Sequence, residues 1–129
     1  MKLFKNLFLI LLLLVVINST AQNGGLKNYT LKDGLPSLKI TNITQDKTGY
    51  LWFSTDKGIS RFDGNEFVNF STKNGLISSN VFVSSNKNNH LLIGTNKGIS
   101  IKKQNSFTNF EGKQINCILN TNNHTFLGT

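Results

Sequence analysis

The segment Trp52-Phe-Ser-Thr-Asp-Lys-Gly-Ile-Ser60 recurs further along the chain as Leu92-Ile-Gly-Thr-Asn-Lys-Gly-Ile-Ser100. The agreement extends downstream in the same register, where Phe67-Val-Asn-Phe70 returns as Phe107-Thr-Asn-Phe110. Self-similarity at a fixed period is the sequence signature of a repeat architecture. The repeat is therefore the unit from which the fold is predicted.

A connecting segment and a third copy extend the pattern. Asp33-Gly-Leu35 returns as Asn74-Gly-Leu76, one position later than the register of the other matches requires. Phe126-Leu-Gly-Thr129 matches Leu92-Ile-Gly-Thr95 at a shorter spacing. The third copy lacks the Gly-Leu connection, which accounts for the shortening.

Each repeat alternates short β-forming runs with turn residues. Tyr50 to Thr55 is aromatic and β-branched, and the segments Asp56-Lys-Gly58 and Asp63-Gly-Asn65 interrupt the runs that follow. Four short strands separated by Gly, Asp and Asn are typical of an antiparallel meander. A four-stranded unit of about 40 residues is the blade of a β-propeller. We predict an all-β fold of such blades in an incomplete ring, with an open β-solenoid as the alternative.

Two sets of positions are expected to hold the repeats together. Turns need residues that tolerate positive φ, which glycine does without steric cost, and neighbouring blades need apolar side chains between them. The predicted turn glycines are Gly34, Gly49, Gly58, Gly64, Gly75 and Gly98. The predicted packing positions are Trp52, Phe67, Phe70, Phe107 and Phe110. A sugar-stacking role for Trp52 is the alternative to packing.

The repeat register divides the chain into segments. Residues 1–21 are predicted to be a signal peptide and residues 22–129 the start of a β-propeller. The propeller part comprises an orphan outer strand at 26–31, a first blade at 37–71, a second blade at 77–111 and a partial third blade at 112–129. Exposed sheet edges template aggregation. We therefore expect the isolated segment 22–129 to be poorly soluble, oligomeric or partly unfolded.

The N-terminal segment has the composition of a secretory signal. Lys2 and Lys5 provide a basic start, Leu7 to Ile17 is an unbroken apolar run, and Ser19 and Ala21 place small side chains before a cleavage site. A membrane-spanning helix is the alternative. The apolar run would be about 16 Å long as a helix, short of the roughly 30 Å hydrocarbon core. Export is the predicted outcome.

The net charge of +8 raises the question of nucleic-acid binding. Export argues against it, and so does the spread of the cations along the chain, so we expect no nucleic-acid partner for this segment. Cys117 is the single cysteine, which excludes a disulfide within the chain. The apolar stretch from Ile115 to Leu119 predicts that Cys117 is a buried core residue.

Residues that suggest chemistry have structural explanations. Asp46, Asp56 and Asp63 each precede a glycine at a turn, where an Asp side chain binds its own backbone. We align Asp46 and Asp56 with Asn86 and Asn96 of the second copy, and asparagine performs the turn role but not acid catalysis. His90 and His124 occupy equivalent positions, and two histidines leave a metal short of three or four ligands. No catalytic, cofactor or metal site is predicted, and the ligand-binding residues are left unassigned.

The segment Asp33-Gly-Leu-Pro-Ser37, followed by Ile43-Thr-Gln-Asp-Lys-Thr-Gly-Tyr-Leu-Trp-Phe-Ser-Thr-Asp-Lys-Gly-Ile-Ser-Arg-Phe-Asp-Gly64, resembles the two-component regulator propeller repeat. The first copy follows the pattern closely. In the second copy Leu92 replaces Trp52, and Lys102-Lys103-Gln104 replaces the Arg-Phe-Asp of the first.

The resemblance implies a function for the parent protein. Such repeats form the periplasmic sensor of bacterial hybrid histidine kinases, many of which respond to oligosaccharides. It therefore implies a homodimeric parent at the periplasmic face of a Gram-negative inner membrane, with the remaining blades as partners and an oligosaccharide as a possible ligand. It implies no cofactor and no enzymatic activity for this segment, although the parent would be a kinase. An exported propeller glycan lyase or hydrolase, and a binding propeller without signalling, are the alternatives.

The signal-peptide prediction is tested by mass spectrometry of the protein recovered from expressing cells. The mature chain should start at Gln22 or within two residues of it, because the small side chains at Ser19 and Ala21 set the cleavage position. Recovery of chains that retain Met1 in the membrane fraction would contradict the prediction.

Overall fold

The part of the chain described by the computed structural model, residues 25–129, consists of ten β-strands and two short 3-10 turns. The predicted signal peptide lies outside these residues. The first antiparallel sheet has the order β1 (Ile40–Gln45), β2 (Leu51–Thr55), β3 (Gly58–Phe62), β4 (Phe67–Phe70). The second repeats this order in β5 (Val81–Lys87), β6 (His90–Thr95), β7 (Gly98–Lys103), β8 (Ser106–Glu111). A third sheet pairs β9 (Cys117–Asn120) with β10 (Thr125–Gly128).

The prediction of an all-β fold of four-stranded antiparallel meanders is confirmed. The three sheets follow one another along the chain and do not close into a ring within residues 25–129. No helix in this range is long and apolar enough to cross a membrane.

The core lies between the first and second sheets. Side chains alternate between the two faces of a strand, so each sheet presents one face to its neighbour. Trp52 and Ile59 of the first sheet meet residues of the second sheet and its leading loop, and Phe70 and Phe107 pack against the group. The remaining core members are Leu76, Val81, Leu91 and Ile93. Full burial of each such side chain contributes about 1.5–3 kcal/mol, so the interface between the sheets stabilises both.

A polar seam joins the same two sheets along β1 and β5. The Asn42 Oδ1 atom accepts hydrogen bonds from the backbone nitrogen and the hydroxyl of Ser84, both at 3.1 Å. The Thr44 hydroxyl donates to the Ser84 carbonyl oxygen at 2.6 Å, and the Thr41 hydroxyl donates to the Val81 carbonyl oxygen at 2.9 Å. Side chains of β1 thus satisfy buried backbone groups of β5, which would otherwise carry a desolvation cost.

A repeated clamp ties the loop that leads into each sheet to the fourth strand of that sheet. In the first sheet the Asn69 amide donates to the Gly34 carbonyl oxygen at 2.9 Å, while its oxygen accepts from the Ser60 hydroxyl at 2.6 Å. The second sheet has the same bonds at 2.9 and 2.7 Å, made by Asn109 to Gly75 and by Ser100 to Asn109. The identical chemistry explains why the loop and the fourth strand recur together in the sequence.

The outer strand predicted at 26–31 is not formed in the structure of the described residues. Residues 25–30 form no regular structure, and a 3-10 turn occupies Leu31–Asp33. Thr30 caps this turn, because its hydroxyl oxygen accepts from the Lys32 backbone nitrogen at 3.2 Å, and the Asp33 carboxylate accepts in return from the Thr30 backbone nitrogen at 2.7 Å. Tyr29 packs edge-on against Phe62, with 4.9 Å between ring centroids. A strand requires a partner, and within the described residues none lies beside this segment.

The prediction that Cys117 is buried is also wrong, because its side chain is exposed on β9. Cys117 lies opposite Gly128 in the pairing, and Leu119 lies opposite Phe126. Leu119 and Phe126 are 61% and 57% exposed, so this face of the third sheet is uncovered within the described residues. An apolar run predicts burial only where a second surface is present to cover it.

The first hairpin of the second sheet is one residue shorter than that of the first. Gln45 pairs with Leu51, whereas Asn86 pairs with Leu91. Asn86 therefore occupies the position of Gln45, and its alignment with Asp46 is wrong.

The shorter hairpin turns through Asn88 and Asn89, with φ of 51° and 61°. Two successive left-handed residues are what a two-residue hairpin loop requires, and asparagine is among the residues that tolerate this conformation. The β1–β2 turn instead reaches positive φ at Gly49, where φ is 92°. The equivalent turns of the two sheets thus reach positive φ with different residues, glycine in the first sheet and asparagine in the second.

Gly58 and Gly98 lie at matching turns with φ of 127° and 119°. A Cβ atom on Gly58 would overlap the carbonyl oxygen of Phe70, and one on Gly98 would overlap that of Phe110. Each turn therefore requires glycine for two reasons. The backbone has a positive φ, and the fourth strand approaches too closely to leave room for a Cβ atom.

Substitution of Gly58 by alanine should lower the free energy of unfolding of the full chain by at least about 2 kcal/mol, from strain and overlap together. Gly64→Ala, at φ of 101° with open space around it, should cost only the conformational part, about 1 kcal/mol. Gly112→Ala meets no atom within 4 Å and should change little. Urea unfolding measures the series, and equal losses for Gly58→Ala and Gly64→Ala would contradict the packing argument.

Candidate functional site

The ends of the first and second sheets form a cleft of about 170 Å³. The turn after β1 and strand β3 line one wall, with the polar side chains of Asp46, Thr48, Tyr50 and Arg61. Strands β5, β6 and β7 and the turns beside them line the other. The polar side chains of this second wall are Asn86, Asn89, Lys102 and Gln104. The cleft continues the interface that buries Trp52 and Leu91, so its floor is the core itself.

Asp46 organises the first wall. Its Oδ1 atom accepts from the backbone nitrogen and the hydroxyl of Thr48, at 2.9 and 2.6 Å, and from the backbone nitrogen of Tyr50 at 3.1 Å. Its Oδ2 atom accepts from the indole nitrogen of Trp52 at 2.8 Å. Burial raises the pKa of this carboxyl, but the hydrogen bonds from Thr48, Trp52 and Tyr50 outweigh burial and hold the pKa below its ordinary value of 3.8. Asp46 therefore remains charged at neutral pH.

Trp52 closes the floor of the cleft. Its side chain is only 4% exposed, and its ring lies 5.7 Å from that of Phe70. Both ring faces are thus turned to protein, which leaves no open face on which a sugar could stack. Trp52 contributes packing and an oriented hydrogen bond to Asp46.

Arg61 stands at the cleft on the first wall. Its guanidinium lies 4.6 Å from the centre of the Tyr50 ring, a cation–π geometry that restrains its orientation. The Nε atom is buried and has no hydrogen-bond partner among the described residues.

Lys102 faces the cleft from the second wall. Its ammonium lies 5.1 Å from the Phe70 ring and 5.5 Å from the Phe107 ring, and it donates a hydrogen bond to the Gln104 carbonyl oxygen. Burial, and then the positive charge of Arg61, lower the pKa of Lys102 below its ordinary value of 10.5. Two cations from different sheets therefore share one cleft.

The residues considered on sequence grounds are scattered through the fold. His90 begins β6 and His124 precedes β10. Within residues 25–129 no group of three or more His, Cys, Asp or Glu side chains could hold a metal ion.

The turn aspartates also differ from one another. Asp63 Oδ1 accepts from the backbone nitrogens of Asn65 and Glu66, at 2.8 and 2.9 Å, as a turn residue does. At the next turn upstream the acceptor is Thr55, whose hydroxyl oxygen binds the Lys57 nitrogen at 3.1 Å. Asp56 does not perform the role expected of it there.

Sequence reasoning missed Arg61 and Lys102. The alignment of Lys102-Lys103-Gln104 with Arg61-Phe-Asp63 is wrong by one residue. Trp52 pairs with Arg61 and Leu92 pairs with Ile101, so Ile101 occupies the position of Arg61 and Lys102 follows it. Because each sheet shows one face to its neighbour, Arg61 and the residue one position later in the next copy point into the same interface. The sequence could have revealed that Arg61 and Lys102 face each other, but only if the register of the paired strands had been worked out.

A family model described as "Two component regulator propeller" matches residues 34–57. The chain carries a two-component regulator propeller repeat. The matched residues cover the Gly34 loop, β1, β2 and the Asp46 turn, so the match includes the Asp46 side of the first wall but not Arg61 on β3.

The chain is also similar to a curated relative. It is 40% identical over 60 residues to "Histidine kinase P4" of Formosa agariphila. The match covers 45% of this chain and 4% of that protein. The similarity therefore concerns a small part of the kinase.

Replacement of Asp46 by asparagine should destabilise the chain by about 1 kcal/mol at pH 7, because a charged acceptor is lost and solvent screening at this partly exposed group limits the effect. Because the pKa of Asp46 is lower in the folded chain than in the unfolded chain, its charged form stabilises the fold at any pH above the unfolded pKa. This contribution is lost as the pH falls through the folded pKa. The difference from wild type should therefore shrink below pH 3.8. Urea unfolding followed by the fluorescence of Trp52, the single tryptophan, measures it, and a difference that is constant from pH 7 to pH 3 would contradict this.

Proposed function

We propose that this chain forms part of the ligand-sensing propeller of a two-component signal transduction sensor, exported from the cytoplasm and responsive to glycan-derived ligands. The observation that carries the proposal is the regulator propeller match, together with the similarity to a histidine kinase. The parent would be a homodimer at the periplasmic face of the inner membrane, with further blades packed beside these.

The cleft supplies a physical route from binding to signal. Its walls come from two different sheets, so a ligand that touches both binds one relative arrangement of the sheets better than another. A ligand shifts an equilibrium only by its difference in affinity for the two states. The polar seam between Asn42, Thr44 and Ser84 gives the sheets specific hydrogen bonds that such a shift would strain or relieve.

The chemistry of the cleft supports a hydroxyl-rich ligand. Asn86, Asn89 and Gln104 present amides, which both donate and accept hydrogen bonds. Arg61 and Lys102 add donors.

The sensing role is tested in the organism that encodes the chain. The chromosomal codons for residues 40–111 are deleted in frame, and transcription is measured after cells are transferred from glucose to each of a panel of polysaccharides. The wild-type strain should induce a gene set on at least one polysaccharide, and the deletion strain should lose that induction while growing normally on glucose.

A strain with the same codons replaced by synonymous ones is the control and should respond as wild type. Identical induction in the deletion strain on every polysaccharide that induces the wild type would overturn the proposed function.

A further inference from the structure

The cleft between the first two sheets holds more positive charge than its own partners neutralise. Among residues 25–129, Arg61 and Lys102 contribute two cations to its lining, and Asp46 contributes one carboxylate. The Asp46 oxygens already accept four hydrogen bonds from Thr48, Tyr50 and Trp52. This carboxylate is therefore engaged by its own wall, and the cations retain capacity for an acceptor.

Aromatic rings hold both cations in place. Arg61 lies over Tyr50, and Lys102 lies beside Phe70 and Phe107. Cation–π contacts of this kind fix a charged group without using its hydrogen-bond donors. Apart from the hydrogen bond that Lys102 donates to the Gln104 carbonyl oxygen, their donors remain oriented in advance of binding, which lowers the entropy cost of capturing a ligand.

The juxtaposition of two cations is unfavourable unless something lies between them. Their mutual effect is visible in Lys102, whose pKa burial and the charge of Arg61 lower. A buried donor without a partner, the Nε atom of Arg61, adds a desolvation cost. An oxyanion in the cleft would relieve both costs, because guanidinium and ammonium groups form their strongest hydrogen bonds with ionised oxygens.

We propose that this cleft binds the anionic group of an acidic sugar, with Arg61 and Lys102 contacting the carboxylate or sulfate from opposite sheets. The inference that the ligand is a sugar rests on the proposed glycan-sensing function. The inference that the ligand is an anion rests on the residues of the cleft alone. The anion would bridge the first and second sheets, so it would fix their relative position when bound.

The size of the cleft agrees with a single charged unit. Its volume of about 170 Å³ is below the roughly 300 Å³ at which pockets for whole small-molecule ligands begin. One acidic sugar at the end of a longer glycan would therefore occupy it, and the amides of Asn86 and Asn89 stand at the same opening.

The test uses the full chain, labelled with nitrogen-15, and follows the single indole signal of Trp52 at the floor of the cleft by NMR. Four probes are titrated: glucuronate, glucose 6-sulfate, glucose and inorganic sulfate. Glucuronate, glucose 6-sulfate or both should shift the signal saturably, and glucose should not. Raising the salt from 50 to 300 mM should weaken binding severalfold, because screening reduces attraction between charges.

Arg61→Gln and Lys102→Gln should each weaken binding of the acidic sugar at least tenfold. Lys97→Gln, which removes an exposed lysine from a turn outside the cleft, is the matched control and should change binding less than twofold. The wild-type comparison between glucuronate and glucose does not depend on the folding of any variant.

Three results would overturn the inference. They are equal binding of glucose and the acidic sugars, wild-type affinity in a folded Arg61→Gln or Lys102→Gln chain, and inorganic sulfate binding as tightly as glucose 6-sulfate. None of them touches the transcriptional test, so sensing of a neutral glycan would survive the loss of this site.

Discussion

Packing between successive sheets underlies every other feature of this fold. Trp52 and Ile59 are buried only because Leu91 and Ile93 of the next sheet lie against them. A four-stranded sheet cannot cover its own two faces, so each repeat gains its core from its neighbour. The regular period of the sequence is the direct consequence, since each unit must present the same two faces.

The interface between the first and second sheets is polar in one region and apolar in another, and the cleft lies at one end of it. Near β1 and β5 it is a polar seam centred on Ser84, whose backbone groups are satisfied by Asn42 and Thr44. Through the middle it is apolar. At the turn end Arg61 and Lys102 line a cleft between the two sheets. Structure and candidate function thus share one surface, which is how a ligand there could act on sheet packing.

The repeat pattern was sufficient to predict the architecture but not the details that depend on neighbours. The four-strand meander follows from local chemistry, in which Gly58 and Gly98 turn the chain and β-branched or aromatic runs extend it. The predicted strand at 26–31 does not form because a strand needs a pairing partner. The predicted burial of Cys117 was wrong because burial needs a second surface to cover the side chain. The alignment of Asn86 with Asp46 was wrong because the first hairpin of the second sheet is one residue shorter than that of the first sheet. The matching residue types of the two copies did not reveal this difference in length.

Residue type and spacing were enough to specify the repeat, the antiparallel meander, the turn positions and the family, because these depend on contacts between residues close in the chain. Three further facts emerged from the folded arrangement alone: Arg61 and Lys102 share a cleft, Trp52 is closed to ligands, and Asp46 is committed to its own turn and to Trp52. The first two depend on which face of each strand meets the next sheet. That choice is made by the packing of two successive repeats, whose contacting residues lie far apart in the chain.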